Sequence, residues 1–209
     1  MTQKVALFWF RRDLRLDDNA GLTKALGTGL PVVPFFIFDT EILSQLEDKD
    51  DKRVSFIYAA LMQMQETLAQ NGTTLDIRFG APMEVIDQLL LSYRVEAVYA
   101  NHDYEPYATQ RDNAVKTKLA AQGVRFVTTK DQVIFEKAEV VKDDGTAYSM
   151  FTPYSKKWKA LLKKTDPNSY PAINRQSNFY QQAALPIPSL DQIGFVFNKN
   201  IISIPSVDQ

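Results

Sequence analysis

Short apolar runs of strand length alternate with longer segments whose apolar residues recur at helical spacing, and this rhythm limits the chain to very few architectures. The runs are KVALFWF (4–10), PVVPFFIF (31–38), TLDIRF (74–79), EAVYA (96–100) and VRFVT (124–128). Between the first two, NAGLTKAL (19–26) reads as a short helix, with Asp17, Asp18 or Asn19 available to cap it. In 52–72, apolar residues fall at Val54, Ile57, Tyr58, Leu61, Met64 and Leu68, and Gly72 supplies a stop. Pro82 and Pro106 sit where first helical residues belong, opening helices over 82–93 and about 106–122. Strands alternating with helices of these lengths imply βαβ units. The predicted fold is α/β, a three-layer sandwich around a central five-stranded parallel sheet. The prior strand order for such a sheet is 3-2-1-4-5.

After residue 130 the rhythm changes. AEVVKDDGTAYSMF (138–151) reads as a hairpin around an Asp-Gly turn, and YSKKWKALLKK (154–164) as a basic amphipathic helix. Residues 165–209 are rich in proline and poor in periodicity, which reads as a connector running over the surface. The expected organisation is an α/β domain over 1–130, a hairpin and basic helix closing it over 131–165, and a connector over 166–209. A connector that leads nowhere implies that the natural protein continues.

Composition removes several kinds of chemistry. The chain has no cysteine, which excludes a disulfide framework, thiolate metal sites and a cysteine nucleophile. Its one histidine, His102, leaves metal and triad chemistry little to work with and reads best as locally packed or hydrogen-bonded. G-x-G-x-x-G after strand one, a Walker loop, His-Glu-x-x-His and G-x-S-x-G are all missing. Residues 1–150 carry 17 Lys/Arg against 22 Asp/Glu, and residues 151–209 carry 7 against 3. An acidic domain is a poor general DNA binder, because non-specific affinity comes from neutralising phosphates. With no signal-peptide pattern and no long apolar run, a cytoplasmic location is the default expectation.

Ligands on an open parallel sheet bind outside the carboxyl ends of its strands, and the unusual polar segments fall there. FRRDLRLDDN follows strand one, FDTEIL strand two, GAP strand three and NHDYEPYATQRD strand four. By residue type alone, Arg11, Arg12 and Arg15 pair with Asp13, Asp17 and Asp18 around the first loop, while an aspartate caps the next helix. Asp103 or Glu105 is placed to cap the helix that Pro106 opens. The aromatic residues Phe8, Trp9, Phe10, Tyr104 and Tyr107 belong first to packing.

FWFRRDLRLDDNAGL, NHDYEPYATQRD, DQVIFE and MFTPYSKKW, in this order over roughly residues 4–160, resemble the DNA photolyase/cryptochrome family. IPSLDQIGF (187–195) is similar to the connector before that family's second domain. The resemblance implies a Rossmann-like N-terminal domain that seats a light-harvesting antenna chromophore. Excitation then passes to FAD in a C-terminal helical domain, where reduced flavin splits cyclobutane pyrimidine dimers in UV-damaged DNA. It further implies that catalytic residues and the DNA contacts lie beyond Gln209, so this fragment alone is not catalytic. No metal, no membrane and a monomeric state are expected. The implied antenna residues are Phe10, Arg11, Asp13 and Leu14 after strand one, Asp39 after strand two, and Asp103, Tyr104 and Glu105 after strand four. Arg11 would meet a phosphate or carboxylate, the carboxylates a ring N–H or hydroxyl, and the aromatics the ring face. Arg12, Arg15, Asp17, Asp18, Arg111 and Asp112 would brace the loops. Pterin-binding members of the family carry an Asn-Glu pair where this chain has Tyr107 and Ala108. They also carry a histidine in the loop after strand two, where this chain has EDKDD (47–51). The EPY form is more like members that use a deazaflavin or FMN, or no antenna, so a deazaflavin or FMN is favoured over methenyltetrahydrofolate. A cryptochrome photoreceptor and a nucleotide-binding module of universal-stress-like fold are the alternatives, the second opposed by the missing glycine-rich loop.

Overall fold

The computed structural model describes residues 3–165, 170 and 178–200. Strand β1 (Lys4–Phe10) is buried from Val5 onward, and all of β2 (Val32–Asp39) is buried, as a strand covered on both faces must be. With β3 (Asp76–Gly80), β4 (Arg94–Asn101) and β5 (Arg125–Thr129) they form one sheet in the order β3-β2-β1-β4-β5, every pair parallel. Alternation along the pleat divides the core in two. Ala6, Phe8 and Phe10 pack with residues of α1 (Ala20–Leu26) and α3 (Lys52–Gln70). Val5, Leu7 and Trp9 pack with residues of α4 (Pro82–Ser92) and α5 (Pro106–Ala121). Because β1 lies between β2 and β4, chain direction across the sheet reverses there, and a crevice opens at the carboxyl ends.

Local chemistry sets the helix starts. Asn19, not either aspartate, caps α1, its Oδ1 accepting the Leu22 N–H at 3.1 Å. Asp51 caps α3 through the Arg53 N–H at 2.8 Å. Both α4 and α5 begin on proline, whose missing N–H costs nothing in a first turn. No side chain caps α5, contrary to the role expected of Asp103 or Glu105. A four-residue helix, α2 (Thr40–Leu43), follows β2 directly and was not expected; Asp39 caps it. Among the described residues, no helix is long and apolar enough to cross a membrane.

Two expectations fail. The hairpin over 138–151 has its turn but not its strands: Gly145 N–H bonds to Lys142 O and Lys142 N–H to Thr146 O, both at 2.9 Å. Lys137–Glu139 is a single 3-10 turn, closed by reciprocal bonds between Glu136 and Glu139. An isolated two-stranded ribbon is marginal in water, and this segment pairs with no strand of the sheet. The basic helix, α6, runs Phe151–Leu162 and has no fully buried residue; Trp158 meets Phe135 edge-on at 5.7 Å.

The second failure is the connector. Residues 166–169, 171–177 and 201–209 of it lie outside the described residues, but 178–200 do not simply run over the surface. Phe179 is 4% exposed and pairs beside Val32, with the Tyr180 N–H bonded to Val32 O at 2.8 Å. Leu190, Ile193 and Phe195 are buried in the same half-core as α1 and α3. Gly194, at φ 83°, turns the chain out of the short helix at Asp191–Ile193 so that Phe195 can point inward. Burial of each such side chain contributes about 1.5–3 kcal/mol, so this segment belongs to the domain it was expected only to leave.

Candidate functional site

The crevice is a cleft of about 480 Å³ at the carboxyl ends of β1, β2 and β4. Its apolar lining comes from Trp9 and Phe10 on β1, Phe36 to Phe38 on β2, Ile42 and Leu43 on α2, and Val54 and Ile57 on α3. Its polar lining is Arg11, Arg12, Asp39, Arg53, Asp103, Glu105, Tyr107 and Arg111. A concave, mostly apolar slot with a few convergent polar groups suits a planar organic ligand.

The deep polar groups are held fast. Asp39 Oδ1 accepts the Glu41 N–H at 2.9 Å and Oδ2 accepts the Tyr107 hydroxyl at 2.6 Å. Arg111 Nη1 lies 4.0 Å from that same Oδ2. Burial and the Asp39 hydrogen bond push the Tyr107 phenol well above its ordinary pKa, so it remains a donor. Arg111 is anchored on Asp112 Oδ1 by Nη2 at 3.0 Å, and its guanidinium lies 4.8 Å from the Trp9 ring centre and 5.7 Å from that of Tyr107. Arg11 donates through Nη1 to both Asp112 oxygens at 2.7 Å and through Nη2 to the Asn101 carbonyl. Only 7% of the Arg11 side chain is exposed, and Asp112 already balances its charge. Two arginines at the rim differ: Arg12 and Arg53 are 59% and 74% exposed. Arg12 makes only loose pairs, at 3.4 Å with Asp103 and 3.8 Å with Glu105.

Behind the cleft, on the α1 side of β4, sits a buried polar knot. Asn101 Nδ2 donates to Asp13 Oδ2 at 2.6 Å and to Asn19 Oδ1 at 2.8 Å, and Asn101 Oδ1 accepts the Gly21 N–H at 2.9 Å. Asp13 also accepts the Arg11 N–H at 2.9 Å. Gly21 permits the approach, since a Cβ there would stand 2.5 Å from Asn101 Oδ1.

Of the residues expected at an antenna site, the structure brings Phe10, Arg11, Asp39, Asp103 and Glu105 to the cleft wall. It places Asp13 in the knot, Leu14 against the half-core of α1 and α3, and Tyr104 outside the cleft. The Tyr104 hydroxyl donates to Glu136 Oε2 at 2.5 Å, and burial with that bond raises its pKa. His102 joins the same group, with Nδ1 2.7 Å from Glu136 and Nε2 3.0 Å from Thr128. The expected pairing within the first loop does not form. Arg11 pairs with Asp112, Arg12 with Asp103 and Glu105, and Arg15 with Asp131 at 2.8 Å, because the loops after β4 and β5 converge on the first one. Asp17 is exposed and in no ion pair among the described residues, while Asp18 Oδ1 accepts the Tyr170 N–H. Two expected braces, Arg12 and Arg111, line the cleft as well. Sequence reasoning passed over Tyr107 as a packing residue and missed Asn101 altogether. An asparagine closing an otherwise apolar strand at the reversal point was the available signal.

The family model described as DNA photolyase matches residues 6–172. The chain belongs to the DNA photolyase family. It is 34% identical over 194 residues to the deoxyribodipyrimidine photo-lyase of a Synechococcus strain, covering 90% of this chain and 40% of that protein. It is 32% identical over 200 residues to the enzyme of the same name from Halobacterium salinarum, covering 90% and 40%. An uncharacterized 31.6 kDa protein of another Synechococcus strain is 33% identical over 205 residues, covering 98% of this chain and 72% of that protein. The chain thus spans about 40% of the length of the two photo-lyases. Among solved structures, a bacterial class III photolyase from Agrobacterium tumefaciens superposes with a TM-score of 0.78 at 23% identity, covering 96% of this chain and 40% of that one. An archaeal photolyase from Sulfolobus tokodaii, described with two FAD molecules and a novel light-harvesting cofactor, gives 0.68 at 22% identity, covering 94% and 43%. These two likenesses speak to the fold, which is that of the photolyase N-terminal domain.

Proposed function

We propose that this chain is the light-harvesting domain of a deoxyribodipyrimidine photolyase and that its cleft seats a flavin-type antenna, FMN or a deazaflavin. The carrying observation is the cleft itself: an apolar slot of about 480 Å³ with a fixed polar floor and two exposed arginines at its rim. The deep end, Trp9, Phe38, Tyr107 and Asp39, suits a planar ring with a hydrogen-bonding edge. Arg12 and Arg53 at the rim are the residues to meet a phosphate, the role expected of Arg11. Bound there, the antenna supplies absorption and energy transfer; the chain's residues orient the ring and limit its contact with water. Light-driven dimer splitting on FAD, and the contact with UV-damaged DNA, belong to the part of such proteins that this chain does not span.

The flavin reading over the folate one has a structural reason beside it. The acidic run after α2 is committed to the fold, with Asp51 capping α3, Asp50 accepting from Asn198 and Lys49 O accepting the Val196 N–H. The test is absorption titration of the purified chain with FMN, 8-hydroxy-deazaflavin and methenyltetrahydrofolate. A flavin-type ligand should bind with a shifted band, Arg12→Ala should weaken FMN by about tenfold, and folate should bind least. A folded chain that takes up none of the three, or folate alone, refutes the proposal.

A further inference from the structure

The cleft holds two oxidisable side chains, the Trp9 indole and the Tyr107 phenol, and one cation stands against both. The Arg111 guanidinium lies within cation–π range of each ring, at 4.8 Å and 5.7 Å. Arg11 places a second guanidinium 5.3 Å from Trp9. Both side chains are 7% exposed and both are fixed on Asp112, so their charge is weakly screened by solvent. Trp9 and Tyr107 both line this cleft of about 480 Å³.

We infer that Arg111 guards a light-excited ring in this cleft against quenching by the aromatic side chains that hold it. The inference rests on the antenna reading above. The event opposed is transfer of one electron from the Trp9 indole or the Tyr107 phenol to the excited flavin-type ring. It leaves an oxidised side chain and a one-electron-reduced ring, which recombine and dissipate the excitation. A fixed positive charge beside the indole raises the energy of the indole radical cation. The phenol has a second route, because its proton can pass to Asp39 Oδ2, 2.6 Å away, as the electron leaves. Arg111 Nη1, 4.0 Å from that oxygen, sets its positive charge where the proton would arrive and so opposes this route too. Asp112 and Asp39 offset part of the charge, yet the ions facing the rings are the guanidinium groups. One residue therefore bears on both electron donors, a role that bracing a loop does not require.

The test uses the full chain carrying Trp158→Phe, which leaves Trp9 as its only indole. Saturated with FMN, this protein should keep a bound-flavin fluorescence lifetime close to that of free FMN. Adding Arg111→Gln should shorten the lifetime by about threefold or more. Arg111→Lys should stay near the parent, and adding Trp9→Phe with Tyr107→Phe to Arg111→Gln should restore the long lifetime. A bound lifetime already short with Arg111 present, or one that Arg111→Gln leaves unchanged, overturns the inference. If FMN does not bind, the antenna reading fails separately and a second measurement decides. Flash photolysis with riboflavin in solution should then oxidise Trp9 about threefold faster or more in Arg111→Gln than in Arg111→Lys. Equal rates overturn the inference.

Discussion

Replacing Asn101 by alanine strikes the joint on which the cleft is built. Asn101 closes β4, is 2% exposed, and uses its amide fully, donating to Asp13 and Asn19 and accepting from Gly21. The substitution removes two neutral hydrogen bonds and one to a carboxylate, and it orphans the buried Gly21 N–H. At about 1 kcal/mol for each neutral bond, about 2 for the charged one and about 1 for the orphan, the loss is about 5 kcal/mol. Some is recovered, because Asp13 still accepts from the Arg11 N–H at 2.9 Å and from Asn19 Nδ2 at 3.2 Å, and water can enter the polar hole. The net expectation is a loss of about 3–4 kcal/mol. With a urea slope of about 2 kcal/mol/M, the unfolding midpoint should fall by about 1.5–2 M at constant slope. Urea titration at 25 °C followed by far-UV circular dichroism reads this directly. A loss below about 1 kcal/mol would show that α1 and the first loop hold their places without the knot. Asn101→Asp should be at least as damaging, since it sets two carboxylates together and cannot donate to Asp13.

The same joint should fail from its other side: Gly21→Ala drives a methyl group to 2.5 Å from Asn101 Oδ1 and 3.0 Å from Phe8, and calorimetry should show a loss of about 2 kcal/mol or more. Phe179→Ala should cost about 3–4 kcal/mol by urea titration although it lies in the proline-rich tail, and a cost near zero would return that segment to the surface. Burial alone would raise the Glu136 carboxyl, but hydrogen bonds from Tyr104 and His102 hold it below its ordinary 4.5. A carboxyl lowered on folding contributes stability that is full above 4.5 and is lost as pH falls through its folded value. Glu136→Gln should therefore flatten the melting-temperature curve below that pH, and an unchanged acid limb would dismiss the contribution. Arg12→Ala should leave thermal stability within about 0.5 kcal/mol, because its pairs are long and exposed.

The elements were legible where a single residue carries the signal. Pro82 and Pro106 open α4 and α5 where the sequence places them, since proline's fixed φ and missing N–H act before any tertiary contact. The strand order followed from the class of sheet. What stayed hidden depends on distance along the chain. Arg11 sits two residues from Asp13, yet the carboxylate that takes its guanidinium is Asp112, 101 positions away. Arg15 likewise reaches Asp131 across 116 positions. Such partners become neighbours only once β4 and β5 lie beside β1, and no local pattern encodes that. Phe179, Leu190, Ile193 and Phe195 escaped for a related reason: they lie in a proline-rich tail, in stretches too short to show a period. The Asp-Gly turn near 144–145 formed as its local chemistry dictates, but an isolated ribbon is marginal in water and its flanks do not pair as strands.

The charge at the end of β1 resolves into two populations with different work. Asp39 and Asp13 are buried, Arg11, Arg111 and Asp112 are partly buried, and all are bound to one another or to backbone, so their positions are set by folding and need not be ordered again by a ligand. Arg12 and Glu105 are exposed and loosely paired, and Arg53 is 74% exposed though held on Asp51 at 2.6 Å, so the first two can rearrange around whatever enters. A rigid floor with an adaptable rim reduces the ordering cost of binding at the deep end, where ring orientation must be fixed. Orientation matters most for a chromophore that passes energy to a distant acceptor, because that transfer depends on the angle of its transition dipole. The ion pairs that a purely structural reading assigns to the loops are thus the same ones that would hold a ring at a fixed angle. On the proposed antenna reading, bracing the fold and aiming the ring would be one task, and the charges gathered at the mouth of the sheet would serve both.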